Sequence, residues 1–251
     1  MAREENTTVV TACANCPLGG RTGLLAHVPG RTNLIQKFKR GEFTLDRGVS
    51  MFEEGESHRG LYTLLDGALM RYRPAPEGTR QIVNIMFPGD LIGIQGLHDE
   101  PFQHVVEALM PVRLCRFDSR DLDALIGSDP GLGHDLVWMA AKEESALESH
   151  LVALGKRRAT KRIAYLASFI LDRSFETGLS PSPSAVQLPI TQAQIADMLG
   201  LSHVHCNRSI QQLRAEGLVR WDQSGLATDN LELLRDHADY VRPFRSPRPY
   251  L

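Results

Sequence analysis

The stretch that decides the architecture is residues 189–221, which read PITQAQIADMLGLSHVHCNRSIQQLRAEGLVRW. Thr191, followed three residues later by Gln194, is the pattern of a capping box that opens a helix. Gly200 permits a tight turn, and Ser202 then caps a second helix. Two short helices joined through a glycine-containing turn predict a helix-turn-helix, whose second helix enters the major groove of DNA.

The two faces of the second helix follow from its spacing. Cys206, Ile210 and Leu213 recur at i, i+4 and i+7, so we expect them to point into the domain core. An exposed arginine suits guanine, an asparagine suits adenine, and a valine can meet a thymine methyl group. The expected DNA-binding residues are therefore those of the other face with the two capping residues: His203, Val204, Asn207, Arg208, Gln211, Ser202 and Thr191.

The next segment favours a DNA-binding domain over an ordinary helical hairpin with a solvated polar face. Residues 217–221 and 226–228 are short apolar runs that flank a turn at 222–225. This pattern predicts a β-hairpin that forms a wing against the DNA backbone.

Towards the N-terminus the pattern changes to many short strands. Between Gly41 and about Phe117, apolar runs of four to seven residues alternate with turns such as Asp66-Gly67 and 88–90. Regular spacing of this kind is typical of an antiparallel sandwich or barrel.

A long amphipathic helix separates the two regions. From Gly131 to Gly155 there is no proline, and leucines and other apolar residues recur at intervals of three, four and seven. Packing against its own β domain would explain part of this stripe. The length of about 36 Å also favours a seam with a second copy, which Glu143 and His150 would interrupt.

The charge distribution supports this division. The formal net charge of −2, from 28 basic and 30 acidic residues, argues at first against nucleic-acid binding. However, residues 155–251 carry 13 basic and 9 acidic side chains, while residues 1–154 carry 15 and 21. The half with the helix-turn-helix is therefore basic, as DNA binding requires.

No apolar run approaches the ~18 residues of a membrane span, and no signal peptide opens the chain, so we expect a cytoplasmic protein without a membrane partner.

The order of these features resembles the CRP/FNR family of bacterial transcription factors over residues 13 to about 235. The resemblance rests on residues 52–56 (FEEGE), 66–67 (DG), 87–93 (FPGDLIG) and 199–208 (LGLSHVHCNR). It implies an α+β fold with an N-terminal antiparallel β-roll (a double-stranded β-helix of the cyclic-nucleotide-binding type), a long dimerisation helix and a C-terminal winged helix-turn-helix. It also implies a homodimer that reads a palindromic operator in double-stranded DNA and acts on RNA polymerase.

The resemblance also suggests domain boundaries and base-reading positions. We expect an arm with a cysteine pair at 1–30, a β-roll sensor at 31–130, a dimerisation helix at 131–158, a winged helix-turn-helix at 159–235 and a flexible tail at 236–251. His203, Val204 and Arg208 fall where the family reads bases. Val204 replaces a common glutamate and cannot accept a hydrogen bond, so the half-site is expected to differ at that base pair.

Cyclic AMP is not the signal that the sequence favours. In cyclic-nucleotide members of the family, an Arg-Ser or Arg-Thr pair follows the Gly-Asp or Gly-Glu turn and grips the phosphate. Here the segment after Gly89 and Asp90 has no arginine and carries Asp99 and Glu100, which would repel a phosphate.

Three cysteines are the candidate ligands of a cofactor or metal. Cys13 and Cys16 form a C-x2-C pair, whose thiolates can grip one metal, and Cys115 resembles the distant cluster cysteine of the oxygen-sensing members. Those members hold a [4Fe–4S] cluster on that cysteine and three in the arm. Here the third arm position falls near Thr22, so a cluster would need one non-cysteine ligand, such as His27 or a carboxylate.

Several hypotheses about the signal stay open at this point. The three cysteines hold an oxygen- or redox-labile cluster, form a thiol switch or zinc site, or have no sensing role in a regulator that binds DNA constitutively. A haem or small molecule in the β-roll is a further alternative. Cys206 is expected to be an inert packing residue, the alternative being a redox-active thiol under the recognition helix. No nucleophile–base pair, phosphate-binding loop or paired carboxylate indicates an enzyme.

Overall fold

The structure is a computed structural model that describes residues 10–97, 100–242 and 246–251. Expectations for the first nine residues of the arm, for Asp99 and for residues 243–245 of the tail lie outside these ranges. The described chain has an N-terminal antiparallel β-roll, a long connecting helix and a C-terminal helix-turn-helix with a small sheet. The α+β fold that the sequence predicts is thereby confirmed.

The strands cluster in the first half of the chain and most helices follow them. The strands are β1 (Gly41–Leu45), β2 (Ser50–Phe52), β3 (Gly60–Asp66), β4 (Leu69–Pro74), β5 (Arg80–Met86), β6 (Leu91–Ile92), β7 (Val105–Ala108), β8 (Val112–Asp118), β9 (Ala185–Val186), β10 (Arg220–Asp222) and β11 (Gly225–Ala227). The helices are α1 (Pro29–Phe38), α2 (Leu122–Ser128), α3 (Pro130–Lys156), α4 (Ala159–Glu176), α5 (Gln192–Leu199), α6 (His203–Ala215) and α7 (Leu231–His237).

Two four-stranded antiparallel sheets form the β-roll. One has the strand order β1-β8-β3-β6 and the other β2-β7-β4-β5, and apolar side chains fill the space between them. The turn after β3 requires glycine. Gly67 has a φ of +85°, and a Cβ there would lie 2.3 Å from the carbonyl oxygen of Pro111.

Strand β8 lies between two hydrophobic cores because its side chains alternate. Val112 and Leu114 point into the core between the sheets, while Cys115 and Phe117 point to the other side. There they pack against α1, α2 and the N-terminal arm, whose Leu18 is fully buried. The described part of the arm therefore contributes to a hydrophobic core.

Helix α3 begins at Pro130, whose fixed φ suits the first turn of a helix. The N-cap residue Asp129 accepts a hydrogen bond from the Gly131 N–H at 2.9 Å. The helix buries a narrow stripe against its own chain: Leu132, Met139, Ala146, His150 and Ala153.

The expectation that Glu143 and His150 interrupt a seam between two copies is wrong, because both face their own chain. Glu143 accepts hydrogen bonds from Arg71 at 2.9 Å and from Asn84 at 2.7 Å. The Nδ1 atom of His150 lies 3.0 Å from the Tyr165 hydroxyl. The exposed side of α3 instead carries apolar residues: Val137, Leu151 and Val152.

Helix α4 is the centre of the C-terminal domain, and every residue from Ile163 to Ser174 is buried. Helices α5, α6 and α7 and the three-stranded sheet β10-β11-β9 pack around it. The last helix extends to His237, past the domain end expected at 235.

No helix of the described chain is long and apolar enough to cross a membrane.

The β4–β5 hairpin binds the C-terminal domain directly. Met70, Ile82 and Ile85 of the hairpin belong to the same core as α4 and α5. Arg80 pairs with Asp197 of α5 at 2.9 Å, and the Gln81 amide donates to the Met198 carbonyl at 3.0 Å. The β-roll and the helix-turn-helix therefore share one core and a set of polar contacts.

Asp90, in the turn before β6, is a buried charge at this junction. Its carboxylate accepts the Phe87 N–H at 2.9 Å and pairs with Arg173 of α4 at 2.7 Å and with Arg248 at 3.3 Å. The three charged side chains are no more than 7% exposed. Because an unpaired buried charge is costly, each of these groups depends on the others.

The C-terminal residues 246–251 are ordered against the arm, and the prediction of a flexible tail is wrong for them. Arg248 forms a parallel bridge with Leu24. Its N–H donates to the Gly23 carbonyl and its carbonyl accepts from the Leu25 N–H, both at 2.8 Å.

The apolar end of the chain explains this difference from the prediction. Tyr250 and Leu251 are 3% and 5% exposed and belong to the core that contains Cys115. The Tyr250 ring lies 4.2 Å from that of His27, between centroids. The prolines and arginines of the tail suggested a flexible segment. The burial of Tyr250 and Leu251 and the ion pair of Arg248 with Asp90 instead hold it in place.

We predict that Arg248→Ala lowers the free energy of unfolding by roughly 2–3 kcal/mol, because removing one member of a buried ion pair leaves its partner undercompensated. Arg173 still faces Asp90, which limits the loss. Chemical denaturation followed by circular dichroism measures the effect. The control is Arg220→Ala, which removes an exposed pair with Asp229 and should leave the unfolding midpoint nearly unchanged. Equal losses in both variants would contradict the buried role of Arg248.

Candidate DNA-binding surface and cysteine pocket

The helix-turn-helix forms from the local signals that the sequence carries. The Gln194 N–H donates to the Thr191 hydroxyl at 3.2 Å, and the Gln194 side chain accepts the Thr191 N–H at 2.8 Å. Gly200 ends α5 in the left-handed region, with a φ of +59°. Ser202 then accepts the His205 N–H at 3.3 Å and begins α6. The capping box, the turn and the second cap are all confirmed.

The inner face of α6 is the one that the spacing predicts. Cys206, Ile210 and Leu213 are fully buried in the core around α4. The Cys206 thiol donates to the Gln192 carbonyl at 3.7 Å, and burial raises the pKa of this thiol to about 11. A thiol that stays protonated at neutral pH packs as a small apolar group, which favours the inert role.

The outer face of α6 is exposed and polar. The structure places these predicted residues there: Ser202, His203, Val204, Asn207, Arg208 and Gln211. Val204 is 62% exposed, so its methyl groups are accessible to a thymine methyl group. Within the described part of the chain, no carboxylate pairs with Arg208. Its guanidinium therefore remains available to a base edge or a phosphate.

Thr191 lies apart from this face. It is half-buried, and its hydroxyl is engaged by the capping box. Thr191 is the N-cap residue of α5, so any contact that it makes with DNA would be additional to capping the helix.

The wing is the hairpin of β10 and β11, with Asp222 and Ser224 in its turn. The Arg214 guanidinium of α6 donates to the Trp221 carbonyl at 3.2 Å and so fixes the wing to the recognition helix. Arg220, on β10, pairs with Asp229 at the surface.

Gln192 is a residue that the sequence analysis did not single out. The Asn207 amide of the recognition helix donates to its side-chain oxygen at 2.8 Å. This contact joins residues 15 apart across the turn, and no local motif indicates it.

The three candidate ligand cysteines lie around one small pocket. Cys13 and Cys16 come from the arm and Cys115 from β8, where it pairs with Glu42 and Thr63 of the neighbouring strands. The pocket is also lined by His27, Lys39, Tyr250 and Leu251. Sequence reasoning brought the three cysteines together correctly but missed the C-terminal residues that close the pocket.

Burial keeps these thiols protonated. It raises the pKa of Cys115 to about 12 and raises the pKa values of Cys13 and Cys16, against the opposing charge of Lys39. Metal ligation and nucleophilic attack both need the thiolate. The half-buried Cys13 and Cys16 are therefore the more reactive members of the set.

The residues of this pocket do not fit an iron–sulfur cluster as they stand. Among the described residues, no group of three His, Cys, Asp or Glu side chains is close enough to hold a metal ion. The cavity between them measures about 20 Å³, which is the space of one water molecule. His27 has a buried Nε2 atom without a hydrogen-bond partner, yet a single orphaned nitrogen does not make a cluster site.

A larger cavity lies between the β-roll and α3, with a volume of about 430 Å³. Its charged lining residues include Arg71 and Arg248, which pair with Glu143 and Asp90. Both cations are thus occupied by carboxylates of the same chain.

Two protein families match this chain. Residues 30–129 match the cyclic nucleotide-binding domain and residues 165–237 match the Crp-like helix-turn-helix domain. The nitrogen fixation regulation protein FixK of Bradyrhizobium diazoefficiens is 29% identical over 72% of this chain and 74% of its own length. The transcriptional activator FnrL of Cereibacter sphaeroides is 23% identical over 95% and 97%. The fumarate and nitrate reduction regulatory protein of Escherichia coli K12 is 23% identical over 84% and 82%.

Solved structures support the fold. FixK2 from Bradyrhizobium japonicum superposes with a TM-score of 0.69 at 24% identity, covering 80% of this chain and 98% of its own. A CRP-family transcriptional regulator from Thermus thermophilus superposes with a TM-score of 0.65 at 19% identity, covering 78% and 96%. With the two domain matches in the same order, and with the exposed face of α6, these findings show that the chain belongs to the CRP/FNR family of DNA-binding transcriptional regulators, which are not enzymes.

Proposed function

We propose that this regulator binds double-stranded DNA as a homodimer and reads a palindromic operator through α6. The observation that carries the proposal is the two-sided chemistry of α6. An apolar face is fully buried, while the opposite face exposes Arg208, Asn207 and Val204, which suit guanine, adenine and thymine. Ser202, His203 and Gln211 lie beside them as further contacts.

The exposed side of α3 supports a homodimer. Val137 and Leu151 are each 69% exposed, and Val152 is 54% exposed. A second copy of the helix would cover this apolar surface. The two recognition helices would then sit about one DNA turn, ~34 Å, apart. RNA polymerase is the expected partner at the promoter.

For the signal, we favour redox control through the thiols of Cys13, Cys16 and Cys115. Oxidation of a pair of thiols to a disulfide removes two electrons and two protons, which pass to an oxidant such as glutathione disulfide. This change would alter the packing of the pocket that Tyr250 and Leu251 close. Through Arg248, Asp90 and Arg173 it would shift the equilibrium position of α4 and the recognition helix.

A small-molecule effector in the cavity of about 430 Å³ is the second candidate, because its volume suits a drug-sized ligand. A cyclic nucleotide is not the ligand that we favour. Arg71 and Arg248, two arginines that line this cavity, already pair with Glu143 and Asp90, which leaves them less able to neutralise a phosphate.

We predict that Arg208→Ala weakens operator binding by roughly 1–3 kcal/mol and relaxes specificity at one base pair, because the guanidinium reads a guanine. Operators selected from a random duplex pool, followed by fluorescence anisotropy titrations, measure both effects. Arg120→Ala is the charge-matched control, since Arg120 lies on the sensor domain and pairs with Asp118. Unchanged base preference in Arg208→Ala would exclude the groove assignment.

We predict that oxidation by glutathione disulfide changes operator affinity in the wild-type chain but not in Cys13→Ser or Cys16→Ser, because the half-buried Cys13 and Cys16 are the more reactive pair. Anaerobically purified protein should contain neither iron nor acid-labile sulfide in stoichiometric amounts, because the pocket has no room for a cluster. Cys206→Ser, outside the pocket, is the control and should respond like the wild type. Stoichiometric iron and sulfide that disappear in Cys115→Ser would instead establish a cluster and overturn the thiol mechanism.

We predict an order of thiol reactivity in the native chain. Iodoacetamide at pH 7.5 should label Cys13 and Cys16 before Cys115 and Cys206, whose pKa values burial raises to about 12 and about 11. Peptide mass spectrometry gives the rate at each site. In guanidinium chloride all four cysteines should react alike. Labelling of Cys115 as fast as that of Cys13 in the native chain would contradict the closed pocket.

A further inference from the structure

We infer that Gln192, the first residue of α5, is a positioning residue for base recognition. It holds the Asn207 side chain of the recognition helix in the orientation that reads an adenine. This inference rests on the proposed binding of DNA through α6. It assigns a specificity-determining role to a residue outside the recognition helix.

The geometry places Gln192 in contact with two consecutive residues of α6. Its side-chain Oε1 accepts a hydrogen bond from Nδ2 of Asn207 at 2.8 Å. Its main-chain carbonyl accepts from the thiol of Cys206 at 3.7 Å. One of these α6 residues is exposed and the other is buried in the core. Gln192 therefore contacts α6 both at its buried face and at its exposed face.

The backbone of Gln192 is well fixed, so its side chain starts from a defined point. The residue before it, Thr191, forms the capping box with Gln194, and the residues after it form α5. The next turn of α5 is anchored by the fully buried Ile195 and Ala196. The backbone position from which the Gln192 side chain reaches Asn207 is therefore fixed.

The chemistry of a carboxamide explains why the contact matters for specificity. Asparagine has two N–H donors and one carbonyl acceptor. Gln192 accepts one of the N–H groups of Asn207. The other N–H and the carbonyl remain, and they match the N7 acceptor and the N6 amino group of adenine. With the Gln192 oxygen facing Asn207, turning the Asn207 amide over would set two oxygens against each other, so this orientation of Gln192 favours one orientation of Asn207.

The same contact should contribute little to folding. It lies at the surface, so its loss leaves no buried polar group unsatisfied and the folded state loses little. Loss of the Gln192 amide is therefore expected to change base preference without changing thermal stability. This separates a positioning role from a structural one.

The test is a double-mutant cycle on operator DNA, with the full-length chain. An operator is selected from a random duplex pool with the wild-type protein, and the base pair at which Asn207→Ala loses its preference is identified. Affinities for the four base pairs at that position are then measured for wild type, Gln192→Ala, Asn207→Ala and the double variant. We expect an adenine preference of roughly tenfold in the wild type, falling towards unity in each variant with no further loss in the double variant.

Gln192→Glu provides the matched control, because a carboxylate accepts the Asn207 N–H as the amide oxygen does. It should weaken binding to all four duplexes uniformly, through repulsion of the DNA phosphates, while it keeps the adenine preference. Melting temperatures of all the variants should match that of the wild type.

Three results would overturn the inference. In the first, Gln192→Ala keeps the full adenine preference. In the second, the effects of Gln192→Ala and Asn207→Ala are additive. In the third, Gln192→Glu loses the preference as Gln192→Ala does. If the wild-type chain selects no operator at all, or Arg208→Ala selects the same one, the proposed function fails and this inference fails with it.

Discussion

The carboxylate of Asp90 is the buried charge at which the two halves of this molecule and its C-terminal segment meet. It sits in a tight turn of the β-roll and is buried with two arginines, one from α4 and one from the C-terminal segment. A buried charge tolerates few arrangements, because losing any partner leaves an uncompensated ion in a medium of low polarity. The β-roll, the base of the DNA-binding domain and the chain terminus are thus tied to one point. The cysteine pocket lies under the same terminus, close to Tyr250 and Leu251.

The parts of this protein that its sequence predicts well are those that local physics determines. The capping box at Thr191, the left-handed Gly200 and the cap at Ser202 each act within three or four residues. The period of the apolar residues in α6 separates its buried and exposed faces without any knowledge of the partners. The turn glycines of the β-roll, such as Gly67, are required by backbone geometry and recur at regular intervals in the sequence.

The parts that the sequence could not predict depend on contacts between distant residues. The terminal segment has the composition of a flexible tail, and its order follows from a partner 158 residues earlier in Asp90. Glu143 and His150 face the β-roll and α4 because of how α3 is rotated, which the amphipathic pattern leaves open. The cysteines do converge on one pocket, but its size, which argues against a cluster, depends on Tyr250 and Leu251. The contact between Gln192 and Asn207 likewise crosses a turn between two helices.

The proposed function depends on two copies of α6 that enter the major groove of one operator. Hydroxyl-radical and base-methylation footprinting of the full-length chain on its selected duplex tests it most directly. We expect two protected major-groove segments on one face of the DNA, with centres about 10 base pairs, or ~34 Å, apart. A single protected segment, protection confined to the minor groove, or no protection would contradict it.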